Sequence, residues 1–386
     1  MLQQMSMKKI CIVTSTRAEY GIMSNLIDRI SRDDDLDLQL VATGTHLSER
    51  FGYTCSEITT AITKKIDICI EKKPAYAMSV AVEKFYEAFG ELKPDVLVVL
   101  GDRYEIMAVA IAAMLSKLPI AHISGGESTF GIMDEEIRHC ITKMSHLHFT
   151  ICEEYRNRVI QLGENPEYVF NVGSLGVENI KNTKLLSKDE LEEQLNFKFG
   201  PKNLLVTFHP MTLEYNYGQA EQFQILLGAL SELKNTKIIF TKPNSDDGNE
   251  EIFSLIDEYA SLHENATAFK SLGQLRYFST LQFVDAVVGN SSSGIVEAPS
   301  FKIGTINISD RQQGRIQSES IINCENTKEE ILSAIQKLYS TEFQQMLKTV
   351  RNFYEGNDTA NNIIKKLKEV DVSKLLKKVF FDLRAK

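Results

Sequence analysis

The sequence predicts an α/β protein built from two doubly wound lobes with parallel sheets, and three observations carry that prediction. Apolar, β-branched runs alternate with amphipathic segments over nearly the whole chain. Polar motifs rich in Gly, Ser, Asp and Arg fall directly after those runs. At 386 residues the chain is longer than one hydrophobic core usually organises. A strand covered by helices on both faces reads as a continuous apolar run, and such strands alternating with helices make parallel βαβ units.

The first lobe is expected over residues 7–180. Its elements read KKICIVTS, then YGIMSNLIDRI; LDLQLVAT; KIDICI, then VAVEKFYEAF; DVLVVLGD, then IMAVAIAAML; PIAHIS, then DEEIRHCITKM; and LHFTIC. After VFNVGSLG, the polar stretch ENIKNTKLLSKDELEEQLNFKFGPKN, broken at Gly200 and Pro201, reads as a linker with one solvated helix. The second lobe, residues 181–365, begins with NLLVTFHP. It continues through a helix near 219–233, KIIFTKPN, helices near 249–261 and 274–282, VDAVVGNSSS, KIGTINIS and two closing helices from residue 327. The terminal SKLLKKVFFDLRAK reads as a basic amphipathic helix within 366–386. Its one short apolar stripe fits packing back on the first lobe better than docking on a membrane.

Composition narrows the function classes. Charged residues make up 25% and hydrophobic ones 43%, ordinary values for a globular protein. A net charge of -9 argues against a nucleic-acid surface, which is usually basic. The cysteines (Cys11, Cys55, Cys69, Cys140, Cys152, Cys324) form no CxxC pair, and several lie in apolar runs where a thiol packs as a small hydrophobe, which fits a reducing cytoplasm. MLQQMSM lacks the charged and apolar regions of a secretory signal, and MAVAIAAML is far short of a membrane span, so a cytoplasmic location is expected.

Open parallel sheets bind ligands beyond the carboxyl ends of their strands, and two such lobes imply a shared cleft there. TSTRAEYG follows the first strand, and its Arg17 is either a fork for phosphate oxygens or a surface arginine. GxGxxG and Walker spacings are both missing, so neither a nicotinamide cofactor nor ATP is expected. GDRYE follows the fourth strand and places Asp102 and Arg103 at a strand end, for chemistry or to cap the next helix. HISGGESTFGIMDEEIRH follows the fifth with Glu127, Asp134, Glu135 and Arg138. Asp134 and Arg138 stand one helical turn apart, so they share a face and tune one another. Carboxylates converging from neighbouring strand ends exceed what capping needs and point to catalysis. The histidines His122, His139, His146 and His148 lack HExxH spacing and a cysteine partner, so no metal is expected.

In the second lobe TFHP places His209 at a strand end, suited to general acid work or a phosphate contact. KPNSDDGN, with Asn244, is either a helix-opening turn or a cleft loop. GNSSSGIVEAPSF sets consecutive serines between an apolar run and a helix start. Short hydroxylated residues leave backbone N–H groups uncovered and the helix adds its positive end, so the turn either caps the helix or holds an anion. Ser291 and Ser292 for phosphates, Glu297 for ribose hydroxyls and Arg311 and Arg315 from DRQQGR together form a handle for a nucleoside diphosphate.

TSTRAEYG, GDRYE, HISGGE with DEEIRHCITKMSHLH, VGSLG, HPMT and GNSSSGIVEAPSF with INISDRQQGR resemble, in order and spacing over residues 8–365, the hydrolysing UDP-N-acetylglucosamine 2-epimerases of the NeuC type. The resemblance implies a glycosyltransferase-B-like fold of two Rossmann-like lobes around a cleft. It implies conversion of UDP-GlcNAc and water into ManNAc and UDP, with no redox cofactor and no obligatory metal. Carried over by motif, Arg17, His209, Ser291 and Ser292 contact the diphosphate, Glu297 the ribose, Arg311 the sugar or phosphate side, and His46 the sugar. Asp102, Glu127 and Asp134 are then the working carboxylates, with His209 assisting departure of the β-phosphate, and Arg103, Arg138 and Asn244 are further substrate-binding candidates. Many members place glutamate directly after HI, where this chain has Ser124, so that acid/base role is vacant or passed to Glu127. A lysine of some relatives is replaced by Ile22. UDP-N,N'-diacetylbacillosamine is an alternative substrate, and a nucleotide-sugar glycosyltransferase or a silent UDP-sugar sensor are alternative functions on the same fold. The partners expected are a UDP-sugar, UDP and further copies of the chain in a homodimer or homotetramer, with no nucleic acid and no membrane.

Overall fold

The computed structural model describes residues 7–130, 132–209, 218–242 and 249–383. The chain divides into two compact units. One comprises Met1–Glu127, Met133–Asn179 and Tyr354–Lys386, the other Ser128–Ile132 and Ile180–Phe353. Among the described residues no helix is long and apolar enough to cross a membrane.

In the first unit the strands are β1 (Lys8–Thr14), β2 (Leu36–Thr43), β3 (Lys64–Ile66), β4 (Val96–Leu100), β5 (Ile120–Ile123), β6 (Leu147–Thr150) and β7 (Val169–Asn171). They form one parallel sheet in the order β3-β2-β1-β4-β5-β6-β7. The side-chain period of two divides its core cleanly. Ile10, Ile12, Val96 and Val98 pack on one face with Met23, Leu26 and Ile27 of the helix Arg17–Ser31. Cys11, Val13, Leu97 and Val99 pack on the other with Phe85 and Phe89 of Pro74–Leu92 and Val109 of Tyr104–Leu115. Both faces are therefore dry, and each fully buried Ile or Leu contributes roughly 1.5–3 kcal/mol.

The second unit repeats the plan. Its strands β8 (Lys202–Thr207), β9 (Thr236–Thr241), β10 (Ala266–Phe269), β11 (Ala286–Gly289), β12 (Gly304–Ile308) and β13 (Ile321–Cys324) form a parallel sheet ordered β10-β9-β8-β11-β12-β13. Leu204, Val206 and Val288 face Phe223 and Leu226 of the helix Gln219–Leu230, while Leu205, Ile239 and Val287 face the opposite cluster. In each sheet the strand order reverses once, between β1 and β4 and between β8 and β11, which are the switch points where such sheets bind ligands.

Two sequence expectations give way to tertiary packing. The stretch read as a linker with a solvated helix holds the end of one helix, Leu175–Asn182, and all of a second, Lys188–Leu195, which is opened by a capping box between Ser187 and Glu190. Leu191 and Leu195 lie in the core beside Leu205 and Leu281, so this helix is a packed layer of the second unit. The expected terminal helix over 366–386 also differs. The helix Thr359–Glu369 ends at Val370, a single turn follows at Val372–Leu375, and residues 376–383 are not helical. Non-helical backbone lets Phe381 N–H reach Gly163 O at 2.9 Å and Lys378 Nζ reach buried Glu164 at 2.7 Å. The first unit regains the chain from Tyr354, earlier than 366, because Ile363, Ile364 and Leu367 bury on the β1 face.

Candidate active site

In the first unit the turns after β1, β4 and β5 carry the predicted side chains. Thr16 caps the helix Arg17–Ser31 by accepting from Glu19 N–H at 3.2 Å. Arg17 opens that helix, half-exposed, with Glu57 3.9 Å away. After β4 comes Asp102, and its partner arrives from the β5 side. Arg138, only 1% exposed, donates from Nε at 2.9 Å and from a terminal nitrogen at 2.5 Å to one Asp102 oxygen. Its other terminal nitrogen donates to the Glu127 carbonyl at 3.0 Å and to Glu135 at 2.9 Å. One buried guanidinium thus fixes Asp102, the backbone of Glu127 and the first turn of the helix Asp134–Met144 together. Asp134, the first residue of that helix, is partly exposed, and Glu127 is buried. Arg103 donates from Nε to Glu105 at 2.5 Å.

Two buried histidines support these turns. His122, on β5, contacts the Gly101 carbonyl through Nε2 at 2.8 Å and Thr142 Oγ1 through Nδ1 at 3.2 Å. A carbonyl only accepts, so Nε2 carries the proton and Nδ1 accepts from the hydroxyl. Burial depresses this ring to about 4, which keeps it neutral and fixed beneath the GDR turn. His46 is wholly buried, with Nε2 3.1 Å from Thr14 Oγ1 and Nδ1 2.9 Å from Thr54 Oγ1, and burial lowers it to about 4. Both ring nitrogens are engaged, so His46 props the β1 turn, and a contact with sugar requires one threonine bond to open. Gly44 brings this loop close: at φ +59 its ideal Cβ would lie 2.8 Å from Ser15 O. Ser124 follows β5 in left-handed backbone, φ 66, and donates to Phe149 O at 2.9 Å. Among the described residues no cluster of His, Cys, Asp and Glu could hold a metal ion.

The second unit arranges its strand ends differently. Gly289 ends β11 at φ +132, where an added Cβ would meet Thr207 O at 2.0 Å, so only glycine fits. The next residue, Asn290, is fully buried. Its side-chain oxygen accepts from His209 N–H at 2.7 Å, and its amide donates to His209 C=O at 2.8 Å. The amide thereby imitates a strand and holds the end of β8 through both backbone groups. Arg311 and Gln312 both donate to the Asn290 carbonyl, at 3.0 and 2.8 Å. Burial, then the charge of Arg311, pushes the His209 imidazole down to about 3, so it is neutral. Ser291 caps the helix Ser292–Val296 by accepting from Ser293 N–H, Ser292 is exposed, and Ser293 shares a short hydrogen bond with Tyr277. That helix has only five residues, so its hydroxyls and N–H groups matter more than its dipole. Glu297 follows it, and Arg311 and Arg315 follow β12, all partly buried. Asn244 lies outside the described residues.

The turns therefore gather Asp102, Glu127, Asp134 and Arg138 in one unit, and His209, Ser291, Ser292 and Arg311 in the other. Sequence reasoning missed Asn290, although it stands in GNSSS, because the serines drew attention away from the residue best able to pair a backbone. It also missed Ser15, Glu19 and Glu105, whose signal was a glutamate two or more residues behind each of two strand-end turns.

The family model described as UDP-N-acetylglucosamine 2-epimerase matches residues 28–368. The chain is 44% identical over 387 residues to a GDP/UDP-N,N'-diacetylbacillosamine 2-epimerase (hydrolyzing) of Campylobacter jejuni, covering 98% of this chain and 100% of that one. It is 38% identical over 382 residues to a polysialic acid biosynthesis protein of Escherichia coli, covering 95% of each. Its fold matches the crystal structure of a UDP-GlcNAc 2-epimerase from Neisseria meningitidis bound to UDP-GlcNAc, with a TM-score of 0.79, 17% identity, and coverage of 94% of this chain and 100% of that chain. Motif order, two matching sheets and a family match spanning both units agree: this chain belongs to the UDP-N-acetylglucosamine 2-epimerase family.

Proposed function

We propose that the chain is a hydrolysing 2-epimerase of UDP-linked 2-acetamido sugars, converting UDP-GlcNAc and water into ManNAc and UDP. A base removes the C2 proton, the C1–O bond breaks with its electron pair leaving on UDP, and 2-acetamidoglucal forms. Water then adds its oxygen to C1 while a proton is delivered to the opposite face of C2. Two acid/base groups in different surroundings are needed. Asp102, tied to Arg138, stays ionised and suits stabilisation of positive charge at C1, while Asp134 and Glu127 suit proton transfer at C2. His209 is neutral and keeps a proton to donate, so with Arg17, Ser291, Ser292 and Arg311 it suits the diphosphate, and Glu297 suits the ribose.

The observation that carries this reading is the Arg138 clamp, which draws Asp102, the Glu127 backbone and the start of the Asp134 helix to one strand-end site. Diacetylbacillosamine as the sugar is favoured by one observation, the activity named for the 44% identical relative from Campylobacter jejuni. Incubation with UDP-GlcNAc or the diacetamido UDP-sugar in heavy water is the test. One deuterium at C2 of the released, inverted sugar is expected; unlabelled sugar of unchanged configuration, or transfer to an acceptor, overturns the reading. The sugar turned over with the higher kcat/KM identifies the substrate.

A further inference from the structure

Beneath the turns that carry Arg17 and Asp102 lies a group the reaction scheme does not use. Ser15, at the end of β1, and Glu105, at the start of the helix Tyr104–Leu115, are wholly buried, and Glu19 is 7% exposed. The Ser15 hydroxyl oxygen lies 3.0 and 2.9 Å from the two oxygens of Glu19 and 3.0 Å from Glu105 Oε1. Ser15 N–H donates to Glu19 Oε2 at 2.7 Å, and Arg103 Nε donates to Glu105 Oε1 at 2.5 Å.

Counting protons makes this arrangement informative. A serine hydroxyl has one proton to give, and an ionised carboxylate only accepts. One hydroxyl between two ionised, buried carboxylates would leave one contact without a proton. Arg103 marks Glu105 as the ionised partner. A second full charge on Glu19 would be buried and would face the Glu105 carboxylate across a single hydroxyl proton. Glu19 must therefore carry a proton, on Oε1, because Oε2 accepts from Ser15 N–H.

We propose that Glu19, Ser15 and Glu105 form a buried carboxyl, hydroxyl and carboxylate chain in which the two glutamates hold one proton between them, and that through Arg103 it sets the turn bearing Asp102, making Glu105 a positioning residue for the reaction. The inference deepens the reading of Asp102 as part of the catalytic site and rests on it. Burial, then repulsion from Glu105, raises the Glu19 carboxyl to about 7, consistent with a retained proton near neutrality. The charged groups that act on it are Glu105 and Arg103 from the β4 turn, and His46, whose backbone N–H donates to Ser15 O, is kept neutral by burial. Once Glu19 ionises, the Ser15 proton is contested by two carboxylates, and Arg103 is drawn toward a second negative charge and away from its set position on Glu105. Turnover should then fall as pH rises through about 7.

The test uses the full chain. Glu105→Gln should lower kcat by about 10- to 100-fold with KM little changed, the effect of a misplaced turn. Glu19→Ala should lower kcat similarly. Glu19→Gln supplies an uncharged donor of the same shape, and should restore activity over the alanine variant and abolish the loss of turnover near pH 7. Infrared spectra at pH 6 should show a protonated carboxyl band that vanishes in Glu19→Gln. Absence of that band from the wild type, or equal damage by Gln and Ala at position 19, overturns the proposal. If a variant fails to fold, the wild-type band and its pH titration still decide the proton. The band also stands apart from the catalytic reading: if no UDP-sugar is turned over but the band appears, the epimerase reading fails while the shared proton survives.

Discussion

At the end of β4, Asp102 meets a buried guanidinium; at the end of β11, in the other sheet, Asn290 meets a backbone. The two strands occupy corresponding places, each beside the reversal in strand order. Around Asp102 the partners are ionic or titratable: Arg138, Glu135, Arg103, Glu105, with His122 beneath. Around Asn290 they are backbone N–H and carbonyl groups and the Gln312 amide, joined by Arg311. The difference teaches that a repeated topology supplies strand ends while side chains choose the chemistry. Charged groups whose protons can move suit bond breaking, and neutral donors held rigid suit gripping an anion without competing charge.

The strongest way to break this contrast is to neutralise one carboxylate of the first unit. Asp134→Asn should lower kcat by about 10²–10⁴-fold, the usual worth of a general acid or base. UDP affinity measured by calorimetry should stay close to wild type. An equal loss of UDP binding would mean that the division between reacting and gripping residues is false.

Arg138→Met asks whether the first unit depends on its buried charge. Loss should be on the order of 3 kcal/mol by denaturant unfolding, the low end for a broken buried pair because Asp102 and Glu135 keep some solvent. Turnover should fall with it.

Acid should weaken the first unit through its histidines. His122 titrates at about 4 in the fold and at 6.5 when unfolded, so its contribution is complete above 6.5 and is lost as pH falls toward 4. The linkage is on the order of 3 kcal/mol. His46 and His146, also held near 4, act in the same direction. Unfolding midpoints between pH 7 and 4 measure it, and His122→Asn should flatten the slope.

Asn290→Ala sharpens the other side. Removing both backbone bonds of His209 should cost about 2 kcal/mol, from buried groups left unpaired. KM for the UDP-sugar should rise more than kcat falls, because the residue steadies the grip. The smallest effect belongs to Glu57→Gln, which removes an exposed partner of Arg17 and should change stability by under about 1 kcal/mol in thermal melts.

Much of this could be read along the chain. KKICIVTS, DVLVVLGD and VDAVVGNSSS announced buried strands with polar ends, and β1, β4 and β11 lie there. The helix Asp134–Met144 also follows its expected pattern. Failures came where partners are distant. ENIKNTKLLSKDELEEQL looked solvated because charges dominate it, yet two leucines on one face of a helix suffice to dock it. SKLLKKVFFDLRAK has helical periodicity, but the buried Glu164 carboxylate draws Lys378 away from a helical course; burial opposes its charge, while His148, Lys143 and Lys378 outweigh that and hold it near 2.

What the sequence determined alone was the alternation that builds two parallel sheets, the place of each polar motif at a strand end, and family membership. These follow from side-chain period and local residue order, which a linear chain displays. Only the tertiary structure decided that Arg138 would clamp Asp102 across 36 positions, that Asn290 would hold His209 across 81, and that Ser15 would stand between Glu19 and Glu105. Such partners are chosen by which strands lie side by side and in what register, and by how little water remains between them.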